Sequence, residues 1–455
     1  MEKEFFHHAL KINEAQCIGC THCMKTCPTE AIRVKNGKAF LHENRCVDCG
    51  ECFRECPVNA IYIDHDDFNQ IYNYKYRIAL VPAVLIGQFP EEVKTSEIYN
   101  VMLEMGFTHV YEIEHAVDLL IEAQKAFALQ NEDVKPLIST FCPAIVRLIQ
   151  VKFPSLVENL ILLKSPLDIA AMYYKKKLTD QGVDEKEIGL FYITPCAAKI
   201  AAVKSPVGED VSIINGVINL DLIYNRVYRA WKQNKKNSCA LPEQTQLSSK
   251  GIIWSLTDGE KNNAKGRALS IDEIHNVMEF LERIENEEIT DIDFLELRAC
   301  DESCAGGVLT CGNRFLTVER LKKRAAETQQ LENLSADTEQ KEIDSYKEYL
   351  LEGMKVQKIR PRSMLKLDED ISVAIKKMGK IREIIEYLPK VDCGICGSPS
   401  CQALAEDIAH DRAQLTDCVF IQRALESRGG MPLDEAMKLI QAIWGDSKFQ
   451  EHYKK

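Results

Sequence analysis

Residues 188–199, IGLFYITPCAAK, form an uncharged run rich in β-branched and aromatic side chains that stops at Pro195, with Cys196 next and Lys199 three positions on. Such a run reads as a strand ended by its proline, with a thiol where the chain leaves the sheet. Working outward, similar runs recur at 78–86 (IALVPAVLI), 107–113 (FTHVYEI), 134–140 (VKPLIST), 156–163 (LVENLILL), 212–218 (SIINGVI), 252–256 (IIWSL) and 294–300 (FLELRAC). Longer stretches with helical spacing lie between them, at 91–105, 116–130, 167–181, 220–233 and 271–286. Alternation of this kind predicts α/β architecture with largely parallel sheets over residues 78–345. Residues 316 to 390 read as mostly helical and strongly charged, with an exposed turn at 335–345 and a helical linker over 346–385.

Ahead of this region, C-x2-C-x2-C-x3-C-P occurs twice: Cys17, Cys20, Cys23, Cys27 with Pro28, and Cys46, Cys49, Cys52, Cys56 with Pro57. The two copies are offset by 29 residues, and CPTEAIRV and CPVNAIYI extend the match, so residues 1–66 are an internal duplication. Zinc sites use two separated pairs of ligands, and disulfides need no such run, whereas this spacing suits iron–sulfur cubanes. In the two-cluster arrangement the last cysteine of each run ligates the other cluster. The expected sets are Cys17, Cys20, Cys23 and Cys56, and Cys46, Cys49, Cys52 and Cys27, giving a ferredoxin-like α+β domain with two 4Fe-4S clusters. Residues 66–77, DDFNQIYNYKYR, read as a polar, aromatic linker.

The chain has 455 residues, a net charge of −12, 45% hydrophobic and 28% charged residues. That length allows several domains, and the acidic balance argues against a nucleic-acid partner. MEKEFFHHALKINEAQ at the N-terminus has no apolar core, so no signal peptide is expected. No stretch approaches about 18 uninterrupted apolar residues, so no membrane span is expected either. Thiols kept as metal ligands fit a reducing cytoplasm.

Four further cysteines fall where strands end: Cys142 in STFCP, Cys196 in TPCAAK, and Cys300 and Cys304 in LRACDESC. Cofactors of open α/β sheets sit outside the carboxyl ends of strands, where helix N-termini favour anionic groups. Position alone leaves open four unrelated buried thiols. These three motifs, in this order, resemble the H-cluster motifs of FeFe-hydrogenases, roughly TSCCP, MPCxxK and MACPGGC. The resemblance extends to IALVPAVLIGQFPEE (78–92) and SPLDIAAMYY (165–174), and with the duplicated module it spans residues 10 to about 330. It implies a 4Fe-4S cluster on Cys142, Cys196, Cys300 and Cys304. Cys304 would also bridge to a diiron subsite carrying CO, CN and an azadithiolate, and Lys199 would hydrogen-bond a cyanide.

The departures carry information too. The family's first motif has two adjacent cysteines, the first passing protons to the bridging amine; Phe141 stands there and has no exchangeable proton. Thr194 and Arg298 replace methionines, and Ala198 replaces a hydroxyl residue beside Lys199. After Cys304 the chain reads AGGVLTCGNRFLTVERL, without the family's GGGQP, and resembles the sensory branch. Cys311 in that segment is a candidate substitute proton route, and Cys239 reads as an incidental loop thiol.

Near the C-terminus Cys393, Cys396, Cys401 and Cys418 have spacings C-x2-C-x4-C-x16-C, with Gly394 and Gly397 permitting tight turns. Similar segments bind a 4Fe-4S cluster in corrinoid and carbon-monoxide-pathway proteins; zinc is the rival. Residues 386–425 are therefore expected to form a small helical four-cysteine domain, and 426–455 a helix docking through Met437, Ile440 and Trp444. The whole suggests a dihydrogen-sensing, slow hydrogenase homologue exchanging electrons with dihydrogen and protons, through a relay with one exit at each end of the chain. A redox partner such as ferredoxin, or a signalling protein, would receive the output, and a homodimer stays open. The alternatives are a slow catalytic or electron-bifurcating subunit, and an iron–sulfur protein with only a cubane at Cys142.

Overall fold

In the computed structural model, residues 6–233, 247–334, 342–362, 367–368 and 370–450 are described. Cys239 and most of the turn expected at 335–345 lie outside them. The chain divides into two units, one of Leu10–Asp64, Gln150–Pro154 and Pro361–Lys455, the other of Met1–Ala9, His65–Ile149 and Ser155–Arg360.

The first of these units holds both N-terminal cysteine runs and the C-terminal one. Strand β1 (Leu10–Ile12) pairs antiparallel with β4 (Ile61–Ile63), and β2 (Ile32–Lys35) with β3 (Lys38–Leu41). The duplication is visible in the backbone. Gly19 and Asp48, Thr21 and Gly50, and Glu30 and Asn59, each 29 positions apart, all have positive φ. Within the same unit the helix Ile371–Tyr387 packs on the helix Cys401–Ala409 through Ile381, Ile384, Leu404 and Ala405. The helix Leu433–Trp444 lies along β2. Its buried residues are Ala436 and Ile443, and the expected Met437, Ile440 and Trp444 are half-buried, Trp444 donating its indole N–H to the Ile395 carbonyl at 2.9 Å. The backbone of the helix end meets the sheet directly, with Asn36 and Gly37 N–H groups donating to the Ala442 and Ile443 carbonyls at 3.0 and 2.9 Å.

The other unit is built on two parallel sheets. β5 (Tyr76–Val81), β6 (His109–Glu112), β8 (Ile188–Thr194) and β9 (Gly216–Asn219) form the order β6-β5-β8-β9. β7 (Leu137–Ile138), β10 (Ala268–Ile271) and β11 (Phe294–Leu297) form β10-β11-β7. All seven residues of β8 are buried, as expected of a central parallel strand covered on both faces.

Three expectations fail here for identifiable reasons. IIWSL is not a strand: the helix Ser249–Ile253 occupies its start, because the Ser248 hydroxyl caps it by accepting from the Gly251 N–H at 3.1 Å. LVENLILL is a 3-10 turn over Pro154–Asn159 followed by single bridges from Leu160 and Leu163, its apolar residues lacking strict alternation. The segment 66–77 is more than a linker. Phe68 and Ile71 enter the core, and Asp66 takes Lys204 at 2.6 Å and the Val217 N–H at 2.8 Å.

Candidate cluster sites

Around the duplicated runs, backbone N–H groups point at sulfur: Ala31 at Cys27 (3.2 Å), Ala60 at Cys56 (3.1 Å), Ala39 at Cys17 (3.3 Å) and Asp48 at Cys46 (3.4 Å). The first two contacts are again 29 residues apart. Burial, then the thiols of Cys20, Cys17 and Cys56, push Cys23 up to about 12. Burial and then Cys49, Cys27 and Cys23 push Cys52 upward, and Cys46 and Cys49 are raised chiefly by burial with Cys27 adding to each. Cys17, Cys20, Cys23 and Cys56 line one small cavity. Thiols packed this closely, with converging N–H donors, suit a cluster that replaces their protons.

The C-terminal site follows the same logic. Cys393 and Cys396 lie on a loop whose Gly394 and Gly397 have φ of +76° and +79°. Cys401 opens its helix behind Ser400, whose hydroxyl accepts from the Ala403 N–H at 3.0 Å. Cys418 precedes the helix Val419–Ser427. Burial, then Cys418 and Cys393, raise Cys396 to about 11. All four cysteines line one cavity.

In the parallel-sheet unit, β7 leads to Cys142 and the helix Pro143–Lys152, β8 to Cys196 and the helix Ala197–Lys204, and β11 to Cys300 and Cys304. All three connections leave carboxyl ends of strands, where open α/β sheets bind ligands. Burial raises the Cys196 thiol to about 12; Cys304 and Cys142 push the same way, and Lys199 opposes them. Lys199 is buried, with its ammonium 3.6 Å from the Cys304 sulfur. Burial would lower its pKa, but Cys304, Tyr192 and Cys196 outweigh that and raise it. Cys300 sits on the same turn as Cys304, its carbonyl accepting from the Ser303 N–H at 3.0 Å.

Phe141 lies between two cations. The Lys199 ammonium is 4.4 Å from its ring centroid and the Arg298 guanidinium 4.3 Å. Arg298 therefore reaches the site, anchored at 2.6 Å to buried Glu260, which also accepts from Ser139 at 2.7 Å. Glu296, raised chiefly by burial, adds a second carboxylate 3.6 Å from Arg298. A cavity of about 120 Å³, lined by Phe141 and Lys199 with Lys164, Asp168 and Glu209, leaves room beside ring and ammonium. Cys311 is exposed, with Asp221 and Tyr224 as electrostatic neighbours, and its backbone N–H donates to the Gln88 side-chain oxygen at 3.1 Å. Sequence reasoning missed Glu114, fully buried, which burial raises to about 8 while Lys199 opposes it. It also missed Glu260 and Glu296; the one available signal was a lone acid inside apolar FLELRAC.

Residues 75–221 match the model for the iron only hydrogenase large subunit, C-terminal domain. Over those residues the chain is similar to FeFe-hydrogenases. Residues 10–67 match the 4Fe-4S dicluster domain, and 388–420 an Fe-S cluster family. Iron hydrogenase 1 of Clostridium pasteurianum is 25% identical over 214 residues, covering 45% of this chain and 35% of that protein. The periplasmic Fe hydrogenase large subunit of Nitratidesulfovibrio vulgaris is 29% identical over 215 residues, covering 42% and 50%. The chain thus spans between about a third and half of these relatives. Among solved structures, a single-residue variant of the FeFe-hydrogenase HydA1 of Chlamydomonas reinhardtii aligns at TM-score 0.45 and 15% identity, covering 63% of this chain and 94% of its own. Among the described residues no helix is long and apolar enough to cross a membrane.

Proposed function

We propose that this chain binds dihydrogen at a slow H-cluster and passes the resulting redox state to a separate protein in the cytoplasm. The observation that carries this reading is the Phe141 ring held between Lys199 and Arg298. Cys142, Cys196, Cys300 and Cys304 would hold a cubane, with Cys304 shared by a diiron subsite bearing CO, CN and an azadithiolate. When bound, that group supplies heterolytic cleavage of dihydrogen.

The chain's residues then decide the speed. Lys199 keeps a fixed positive charge and three donors beside Cys304, suited to an anionic ligand. Phe141 fills the place from which a proton would leave and can neither give nor take one. Arg298 holds its own proton, because a guanidinium paired to Glu260 does not deprotonate near neutral pH. Cleavage that cannot shed protons quickly is slow. A sensor needs only to equilibrate with ambient dihydrogen, so slowness is no defect there. The recipient would be a ferredoxin-like or signalling protein.

Maturation with a synthetic diiron cofactor tests this. Carbonyl and cyanide infrared bands together with slow dihydrogen oxidation are expected. Absent bands would leave a cubane-only iron–sulfur protein. Bands with fast turnover would instead favour a catalytic or electron-bifurcating subunit.

A further inference from the structure

The three cysteine sites of the first unit are not independent. Met24, directly after Cys23 in the first run, is 1% exposed. Its methyl lies 3.0 Å from where a side chain on Gly394 would begin, between Cys393 and Cys396. A second link ties the same loops from outside. The Trp444 indole N–H donates to the Ile395 carbonyl at 2.9 Å, inside the C-terminal Cys-x2-Cys loop. Lys448, its ammonium 5.0 Å from the Trp444 ring, donates to the Gly19 carbonyl at 2.9 Å, inside the Cys17–Cys20 loop. A third contact is backbone to backbone: the Val34 N–H donates to the Gly397 carbonyl at 2.8 Å.

We propose that the C-terminal site exchanges electrons directly with the Cys17/Cys20/Cys23/Cys56 site across Met24. The unit is then one three-cubane conductor, ordered Cys27/Cys46/Cys49/Cys52, then Cys17/Cys20/Cys23/Cys56, then Cys393/Cys396/Cys401/Cys418. Each step moves one electron: one cubane is oxidised, its neighbour is reduced, and no bond to protein forms or breaks. Met24 and Gly394 set the separation; Trp444 and Lys448 are positioning residues that hold the two loops at it. The chain's two ends thus supply one conductor instead of two exits. This inference does not rest on a diiron subsite, so its failure is separate from that of the functional reading.

The test is electron paramagnetic resonance on the full-length, cluster-loaded protein, reduced stepwise with dithionite. The C-terminal cubane is expected to be magnetically coupled to a neighbour, its signal broadened and hard to saturate with microwave power. In Cys418→Ser that contribution disappears and the spectrum of the remaining pair stands alone. A wild-type spectrum equal to the Cys418→Ser spectrum plus an uncoupled, readily saturated signal would overturn the proposal, as would zinc in place of iron at that site. If Cys418→Ser does not fold, power saturation of the wild type at partial and full reduction decides alone. Trp444→Phe combined with Lys448→Met keeps every ligand and is expected to narrow the C-terminal signal with iron content unchanged. An unchanged line shape would remove the two residues from the positioning role.

Discussion

Phe141 is the residue on which the proposed slow turnover rests. Its ring has two cations against it, contacts worth about 0.5–2 kcal/mol each where desolvated. Phe141→Cys removes both contacts and leaves a smaller side chain, so a stability loss of about 2–4 kcal/mol is expected by thermal melting. The same substitution places a proton carrier beside the site. If proton exit limits turnover, dihydrogen oxidation by the matured variant rises by roughly 10²-fold; an unchanged rate in protein with intact infrared bands would locate the bottleneck elsewhere. Glu114 offers a second test. Burial raises its carboxyl from 4.5 to about 8, so between those values the folded chain holds a proton that the unfolded chain releases. That contribution to stability is present below about 4.5 and is lost as pH rises toward about 8. Glu114→Gln should flatten this decline, read as the difference between denaturant midpoints at about pH 5 and about pH 8. Cysteine spacing was legible in the sequence because ligation needs short local runs. Glu114 was not, because its burial depends on Ala83, whose N–H it accepts at 2.9 Å from across the sheet.

The turn from Cys300 to Cys304 shows what an element can conceal from its sequence. Glu302 and Ser303 both have left-handed backbone, φ 58° and 53°, where glycine is the comfortable choice. Asp272 holds the turn by accepting from the Glu302 N–H at 3.0 Å and from Thr257 at 3.0 Å, while Thr257 meets the Ser303 hydroxyl at 2.9 Å. A non-glycine residue in this region costs about 1 kcal/mol or more. Glu302→Gly is therefore expected to raise the melting temperature, and Asp272→Ala to lower it and reduce iron retained after a chelator challenge. A fall with Glu302→Gly would show that its side chain contributes more than its backbone costs. The glycines that follow were visible as letters, but their reason is spatial: a side chain on Gly306 would begin 1.9 Å from the Asp301 carbonyl oxygen. Long amphipathic helices such as Leu220–Gln233 were legible to the residue, since a 3.6-residue period accumulates over several turns. IIWSL was not, because five apolar residues carry no period and a serine cap outside them set the outcome.

At the scale of the molecule, the unit that holds three cysteine sites is assembled from both ends of the chain, and no local pattern announces that. Its joints are buried ion pairs over long separations. Arg33 meets Asp407 at 2.6 Å, and Arg45 meets Glu406, with all four side chains 10% exposed or less. These residues read in isolation as ordinary surface charges on a strand (Arg33), a 3-10 turn (Arg45) and a helix (Glu406 and Asp407). Their fields also reach His42, which burial, and then Arg33, hold down at about 4, so it is neutral at physiological pH. A buried pair contributes little net stability but is costly to break, because the survivor is left charged without a partner. Asp407→Leu should therefore destabilise the unit by about 3–5 kcal/mol, whereas Arg33→Met with Asp407→Leu should recover most of that loss. The measurement is denaturant unfolding of the cluster-loaded protein, followed by iron–sulfur absorbance so that cysteine sites from both ends are read together. Recovery in the double variant requires that the two charges face each other with little water between them. If Asp407→Leu unfolds at the wild-type midpoint, the carboxylate is solvated and the ends of the chain are held by the Arg45–Glu406 pair and the backbone contacts at Val34, Asn36 and Gly37 instead.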